Sequence, residues 1–216
     1  MYAKVFKRVI DFILSLCALI VLSPVLLILI VLGAVKMKGN PFFTQLRPGK
    51  DEKIFKLIKF RSMTCETDAN GEPLPDEVRL TKYGKLLRST SLDELPELIN
   101  ILIGDMSIVC PRPLLVRYLP YYTEQEHRRH AVRPGLTGYA QVHGRNYVTW
   151  EDKFKMDLWY VDNVSFFADI KIIIDTIKTV LKRENIETAS SIVHNNVLYQ
   201  PLDVERSAES KVEERI

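Results

Sequence analysis

From Phe12 to Val35 the chain runs for 24 residues without a charge, FILSLCALIVLSPVLLILIVLGAV. As a helix, that length suffices to cross a bilayer. A cleaved secretory signal fits it poorly. The run exceeds an ordinary apolar h-region and ends on Val35-Lys36-Met37-Lys38, with no small-residue cleavage site. Lys4, Lys7 and Arg8 precede it and Lys36 and Lys38 follow it, so the positive-inside bias is weak. Ser23-Pro24 sits at its middle, where proline removes an amide donor, clashes with the preceding turn and kinks the helix. Two topologies stay open on this basis: a kinked spanning helix, or a re-entrant hairpin with both basic ends at one leaflet. Residues 36–183 hold no second run of this length. The rest therefore reads as one membrane-tethered domain, on the cytoplasmic side if the basic flank is read that way.

The remaining chain is globular in composition. Of 216 residues, 47% are apolar and 26% charged, which excludes a wholly disordered protein. Cys17, Cys65 and Cys110 are too few and too scattered for a disulfide framework or zinc cluster. The net charge of +3 divides into +7 before Glu184 and −4 after it. A basic body suits an anionic surface or anionic ligands, and equally a plain solvated surface. The expected organisation is a membrane-anchoring segment at 1–38, a domain at 39–183, and a polar, acidic, loosely ordered tail at 184–216.

Residues Phe42 to Arg47 and Ile54 to Arg61 read as strands around a Pro-Gly-containing turn. Residues 64 to 78 read as a loop, and Thr81 to Arg88 as a short helix despite Gly84. Leu95 to Ile103 is apolar at helical spacing and stops at Gly104. Thr123 and Glu126 have capping-box spacing, for a helix that ends before Arg133-Pro134-Gly135. Thr149 reads as the cap of another helix, with Trp150, Phe154, Leu158 and Val161 on one face. Phe166 to Arg183 is amphipathic, with a stripe of Ile170, Ile173, Ile174, Ile177 and Leu181. Such a stripe suits either an ordinary core or a membrane surface.

Chemistry concentrates in Ser91-Leu-Asp-Glu-Leu-Pro-Glu-Leu-Ile-Asn. Ser91 and Glu94 have capping-box spacing and Pro96 suits a first helical turn, two cues that disagree by a few residues. Either start puts Asp93 near a helix N-terminus, where exposed amides favour an anion. An ionised carboxylate can attack as a nucleophile or hold a divalent cation. Asp93 and Glu94 also simply suit the first turn of a helix. Prolines on both sides of Arg112 stiffen its backbone, and an ordered guanidinium binds phosphate in bidentate fashion. Lys59, Arg88, Arg133 and Arg145 are further candidates for an anion site, or ordinary surface charges. His127 and His130 have a permissible metal-ligand spacing with no third ligand in evidence. Together these features suit phosphoryl chemistry at a bilayer. They do not choose between a transferase, a phosphatase and an anionic-lipid binder.

The chain resembles the bacterial sugar transferases, specifically the small monotopic phosphoglycosyl transferases of the PglC-like kind, from about Phe6 to Arg183. The resemblance is carried by ordered blocks. They are Lys7-Arg-Val-Ile-Asp-Phe, Ser23-Pro24, Phe43-Thr-Gln-Leu-Arg-Pro-Gly, Lys59-Phe-Arg-Ser-Met, Leu87-Arg-Ser-Thr-Ser-Leu-Asp-Glu-Leu-Pro, Gly104-Asp-Met-Ser, Pro111-Arg-Pro, Arg133-Pro-Gly-Leu-Thr-Gly and Gln141-Val. It implies an α+β, mostly helical fold with a re-entrant helix broken at Ser23-Pro24. The small cytoplasmic catalytic domain would carry amphipathic interfacial helices and a short β-hairpin. It also implies transfer of a sugar-1-phosphate from a UDP-sugar donor to a polyprenyl phosphate acceptor at the bacterial inner membrane, with Mg²⁺ as cofactor. This would be the first membrane step of a surface glycan or glycoprotein glycan. Asp93 would be nucleophile and metal ligand, Glu94 would position or activate incoming groups, and Arg112, Lys59, Arg88 and Arg145 would hold phosphate. The partners are then the donor, the acceptor and membrane lipids, with no nucleic acid; the oligomeric state, a homodimer included, stays open. Two positions depart from the family pattern. Cys110 replaces a glycine before Pro-Arg-Pro, where a side chain could crowd a backbone approach to phosphate. Glu97 replaces a glutamine and adds a negative charge beside the site.

Overall fold

Proline has no amide hydrogen, so Pro24 leaves the carbonyl of Ile20 without its helical donor. Ser23 supplies a substitute, its hydroxyl donating to that carbonyl at 2.8 Å. In the computed structural model, helix α1 (Lys7–Lys36) accordingly runs on through Ser23-Pro24. The break expected at Ser23-Pro24 is absent, because the Ser23 hydroxyl replaces the donor that Pro24 lacks. The structure describes residues 1–144, 148–182, 193–194, 197–198 and 201–213.

Most of α1 is exposed and apolar, and its buried positions are Lys7, Asp11, Ser15, Leu29 and Gly33. Lys7, Asp11 and Ser15, and then Leu29 and Gly33, recur in steps of four and trace one face of a helix. That face packs along nearly its whole length on the remaining chain. The Arg8 guanidinium donates to the carbonyls of Ile101 and Leu102 at 2.6 and 2.8 Å. It thereby caps the end of α4 (Glu97–Ile103), where the Ile101 carbonyl also accepts from the Gly104 amide at 3.2 Å. Asp11 accepts from the Ser107 hydroxyl at 2.6 Å and the Ile108 amide at 3.1 Å. Leu19 and Leu22 pack with Phe55, Leu98, Ile101 and Met106. Leu26, Leu29 and Ile30 pack with Phe60, Leu87, Leu92 and Leu95. The Tyr83 hydroxyl donates to the carbonyl of Leu29 at 3.0 Å.

The fold is mostly helical, with small two-stranded sheets. Strands β1 (Phe42–Pro48) and β2 (Ile54–Phe60) form the expected antiparallel hairpin, Phe42 opposite Phe60 and Pro48 opposite Ile54. Asn100 ties α4 to it, donating to the Lys56 carbonyl at 2.8 Å and accepting from the Ile58 amide at 3.0 Å. A short helix, α2 (Asp76–Arg79), interrupts the segment read as loop. Helix α3 (Lys82–Ser89) is capped by Thr81. Its Gly84 is a packing requirement, because a β-carbon there would stand 1.8 Å from the Ser62 carbonyl oxygen. Strands β3 (Ser107–Val109) and β4 (Gly135–Thr137) pair in parallel. Helix α5 (Glu124–His127) carries both bonds of the Thr123–Glu126 capping box. Helix α6 (Tyr139–His143) and the Thr149-capped α7 (Trp150–Asp162) follow.

Two readings change, and one left open is narrowed. The buried face of α7 is Trp150, Phe154, Asp157 and Tyr160, while Leu158 and Val161 are half-buried. Two polar-ended side chains lie inside because each has a partner: Asp157 pairs with Arg129, and the Tyr160 hydroxyl donates to Asp169 and to the Val109 carbonyl. In α8 (Phe166–Lys182) the isoleucine stripe divides: Ile173 packs against the core with Ile172 and Tyr160, and the rest of its described positions face outward. Ile172 and Asp169 are buried, whereas Phe166, Phe167, Ile170, Ile174 and Ile177 are exposed. Past β5 (Val193–His194) and β6 (Val197–Leu198), the tail ends in α9 (Leu202–Glu213). Its start is docked. Leu202 is fully buried among Leu114, Tyr118, Tyr122, Trp150 and Phe154, and Arg206 bonds both carboxylate oxygens of Glu126.

Candidate active site

Helix α3 ends where the Thr90 hydroxyl turns back to the Leu86 carbonyl at 2.7 Å. Ser91 follows with φ at +54°, a left-handed conformation that a non-glycine residue adopts at a cost. The reversal launches a 3₁₀ turn over Leu92–Glu94, and Pro96 then opens α4. Ser91 makes no side-chain cap, so the proposed Ser91–Glu94 capping box does not form. The Glu94 amide takes the Ser91 backbone carbonyl instead, at 3.2 Å. This frees the Glu94 carboxylate, which accepts from the Lys59 ammonium at 2.9 Å and from the Arg112 guanidinium. Leu92 and Leu95 anchor the turn against α1 near Leu26 and Leu29.

Adjacent carboxylates thus meet different surroundings. Burial alone would raise Glu94, but Arg112 and Lys59 overcome it and hold the carboxyl at about 2. Glu94 is therefore a fixed anion bridging two cations. Asp93 accepts no hydrogen bond among the described residues and is half-buried. Burial first, then the Glu94 charge, raises it, against the pull of Lys59, Arg112 and Arg88. The raised, unpartnered carboxylate is the more basic and more available of the two. Its oxygens also fit Mg²⁺, which takes one or two carboxylates plus substrate phosphates. Glu94, already occupied by two cations, fits that role less well.

The cations are held by the fold. Lys59 projects from β2. Arg88, on α3, donates to the Ser62 hydroxyl at 3.0 Å and acts electrostatically on Asp93. The backbone at Arg112-Pro113 is held by two further arginines. Arg129 donates to the Arg112 carbonyl at 2.7 Å, and Arg47 to the Pro113 carbonyl at 3.3 Å. Arg129 is buried and is balanced by Asp157 at 2.8 Å.

Asp93, Glu94, Lys59, Arg88 and Arg112 are therefore brought together; Arg145 lies outside the described residues. Arg133 is bonded elsewhere, to the Gly104 carbonyl at 2.8 Å. Cys110 does not crowd a phosphate approach, because its side chain lies in the core with Val109, Tyr160 and Ile172, where burial pushes the thiol up to about 12. His127 bonds Glu52, and His130 stacks on Tyr122. Sequence reading missed Arg47, Arg129 and Asp157. Arg129 sits in a basic run, His127-Arg-Arg-His, that looks like surface.

The model of the family described as bacterial sugar transferase matches residues 2–183. The chain belongs to the bacterial sugar transferase family. An uncharacterized sugar transferase, EpsL of Bacillus subtilis, is 50% identical over 188 residues, covering 87% of this chain and 93% of that protein. A UDP-glucose:undecaprenyl-phosphate glucose-1-phosphate transferase of Klebsiella pneumoniae is 42% identical over 183 residues, 80% of this chain. This bacterial sugar transferase spans only 39% of that longer relative. An exopolysaccharide production protein of Rhizobium leguminosarum is 38% identical over 197 residues, covering 83% of this chain and 96% of that protein.

Proposed function

We propose that this protein transfers a sugar-1-phosphate from a UDP-sugar to a polyprenyl phosphate, by way of Asp93. The observation that carries the reading is the inequality of the pair: Glu94 is held by two cations, while Asp93 is unpartnered among them. In the first step an Asp93 oxygen bonds the phosphorus that bears the sugar. The bond from that phosphorus to the bridging oxygen breaks, and UMP leaves with the oxygen. In the second step an oxygen of the polyprenyl phosphate bonds the same phosphorus, and the Asp93 carboxylate is restored. Lys59, Arg88 and Arg112 offset the charge of the phosphoryl oxygens. A bound Mg²⁺ would offset further diphosphate charge, with Asp93 as its protein ligand. The names of the Klebsiella relative and of a Salmonella typhimurium undecaprenyl-phosphate galactose phosphotransferase support the substrate classes.

The contacts of α1 support a re-entrant anchor. One helix meets the same domain through Arg8 and Asp11 at one end and through Leu29 and Gly33 at the other. A spanning helix would carry one of those ends across the bilayer, away from the domain. The exposed apolar faces of α1 and of α8 then both meet lipid, α8 lying at the interface of the inner membrane with the domain on the cytoplasmic side.

Purified protein with a UDP-sugar panel, Mg²⁺ and polyprenyl phosphate should release UMP and form lipid-linked sugar diphosphate. The Asp93→Asn variant, folded and inserted, should lose turnover by a thousandfold or more, on the order seen when a covalent nucleophile is removed. Undiminished UMP release by that variant would contradict the assignment. Release without lipid acceptor would point to a phosphatase.

A further inference from the structure

Glu97 has no part in the reaction just described, yet its position is unusual for a carboxylate. It opens α4 and is 2% exposed. Its Oε1 accepts no hydrogen bond, although the Lys59 ammonium stands 3.0 Å away. The same ammonium is bonded to Glu94 at 2.9 Å. One cation therefore serves two carboxylates. The charged groups that face Glu97 come from every neighbouring element: Lys59 from β2, Glu94 from the 3₁₀ turn, Arg112 from the segment after β3, and Arg47 from β1. Among the described residues, only Lys59 lies within ion-pair distance.

We propose that Glu97 is a positioning residue that governs how freely Lys59 can turn to the diphosphate of the donor: ionised, it holds the ammonium back, and protonated, it releases it. The inference rests on the transferase reading. Its physical basis is the cost of an ionised, buried carboxylate whose ammonium partner is shared with a second carboxylate, Glu94. Burial first, reinforced by Glu94 and opposed by Lys59 and Arg112, raises Glu97 to about 7. When a diphosphate draws Lys59 away, Glu97 loses the ion pair at 3.0 Å and takes a proton from solvent. Donor binding is thereby tied to proton uptake, and it weakens as pH rises through neutrality. Any limb set by Asp93 has the opposite sense, since attack needs its ionised form.

The test is kcat/KM for the donor from about pH 6 to about pH 9, in wild type, Glu97→Gln and Glu97→Asp. Wild type should fall by up to about tenfold per pH unit on the alkaline side, through KM more than kcat, the limit for one proton. Glu97→Gln keeps the shape and cannot titrate, so it should lose that fall; Glu97→Asp should retain it. An alkaline fall that persists in Glu97→Gln, or is absent from wild type, would overturn the proposal. Infrared difference spectra of the protein without substrate supply a readout independent of turnover. A protonated-carboxyl band that disappears on raising pH should be present in wild type and missing in Glu97→Gln; its persistence in that variant would also overturn the assignment. A Glu97 band with no UMP released from any donor would sink the transferase reading, and with it the role toward the donor, while the titration stood.

Discussion

Asp93 and Glu94 share a turn but not a chemical role. Glu94 is consumed in holding Lys59 and Arg112, and Asp93 is left to react. The pair itself is legible in the sequence, as are Lys59, Arg88 and Arg112, because each belongs to a short local block. Glu97 is legible only as an added charge; its burial and its shared cation come from β2 folding beside α4. Arg47 is visible only as part of a motif block, and Arg129 and Asp157 are not legible at all, since only tertiary neighbours distinguish a buried charge from a surface one. At this scale the account predicts that Arg112→Lys raises donor KM by roughly tenfold, through loss of the planar fork that grips phosphate. Steady-state kinetics check it; an unchanged KM would remove Arg112 from the donor site.

Among elements, the β1–β2 hairpin, α3, α4 and the Thr123 and Thr149 caps follow from local pattern. The Ser91–Glu94 box fails because a better arrangement competes for the same carboxylate, two cations against one backbone amide. The α8 stripe shows the limit of periodicity, which finds an apolar face but not what covers it. Helix α1 depends on Ser23 as much as on Pro24. Ser23→Ala leaves the Ile20 carbonyl without its substitute donor, a loss of about 1 kcal/mol for an ordinary hydrogen bond. Thermal unfolding in detergent should register it, and an unchanged midpoint would contradict the role. The re-entrant reading predicts that cysteines placed at Met1 and at Lys38 are labelled from the same side of a sealed membrane; labelling from opposite sides would reject it.

For the whole molecule, three connections join membrane segment, domain and tail. Lys7 pairs with Asp169 at 2.5 Å, joining α1 to α8. Arg129 joins the α7 core to the Arg112 backbone. Leu202 and Arg206 fasten α9 to the aromatic cluster beneath both. The acidic composition of the tail hides this last connection, because a few single residues make it: Leu202, Arg206, and Asp203 in its pair with Arg117 at 3.3 Å. Leu202→Ala should cost about 2–5 kcal/mol, as for a fully buried leucine, and lower the unfolding midpoint by several degrees. An unshifted midpoint would show the tail to be undocked in solution. The central claim, that Asp93 carries the phosphosugar, is tested most directly by intact-protein mass after incubation with UDP-sugars and Mg²⁺ in the absence of polyprenyl phosphate. The account predicts a gain of one sugar phosphate, located at Asp93 and absent from Asp93→Asn. A gain that survives in that variant, or that maps to another residue, would contradict it.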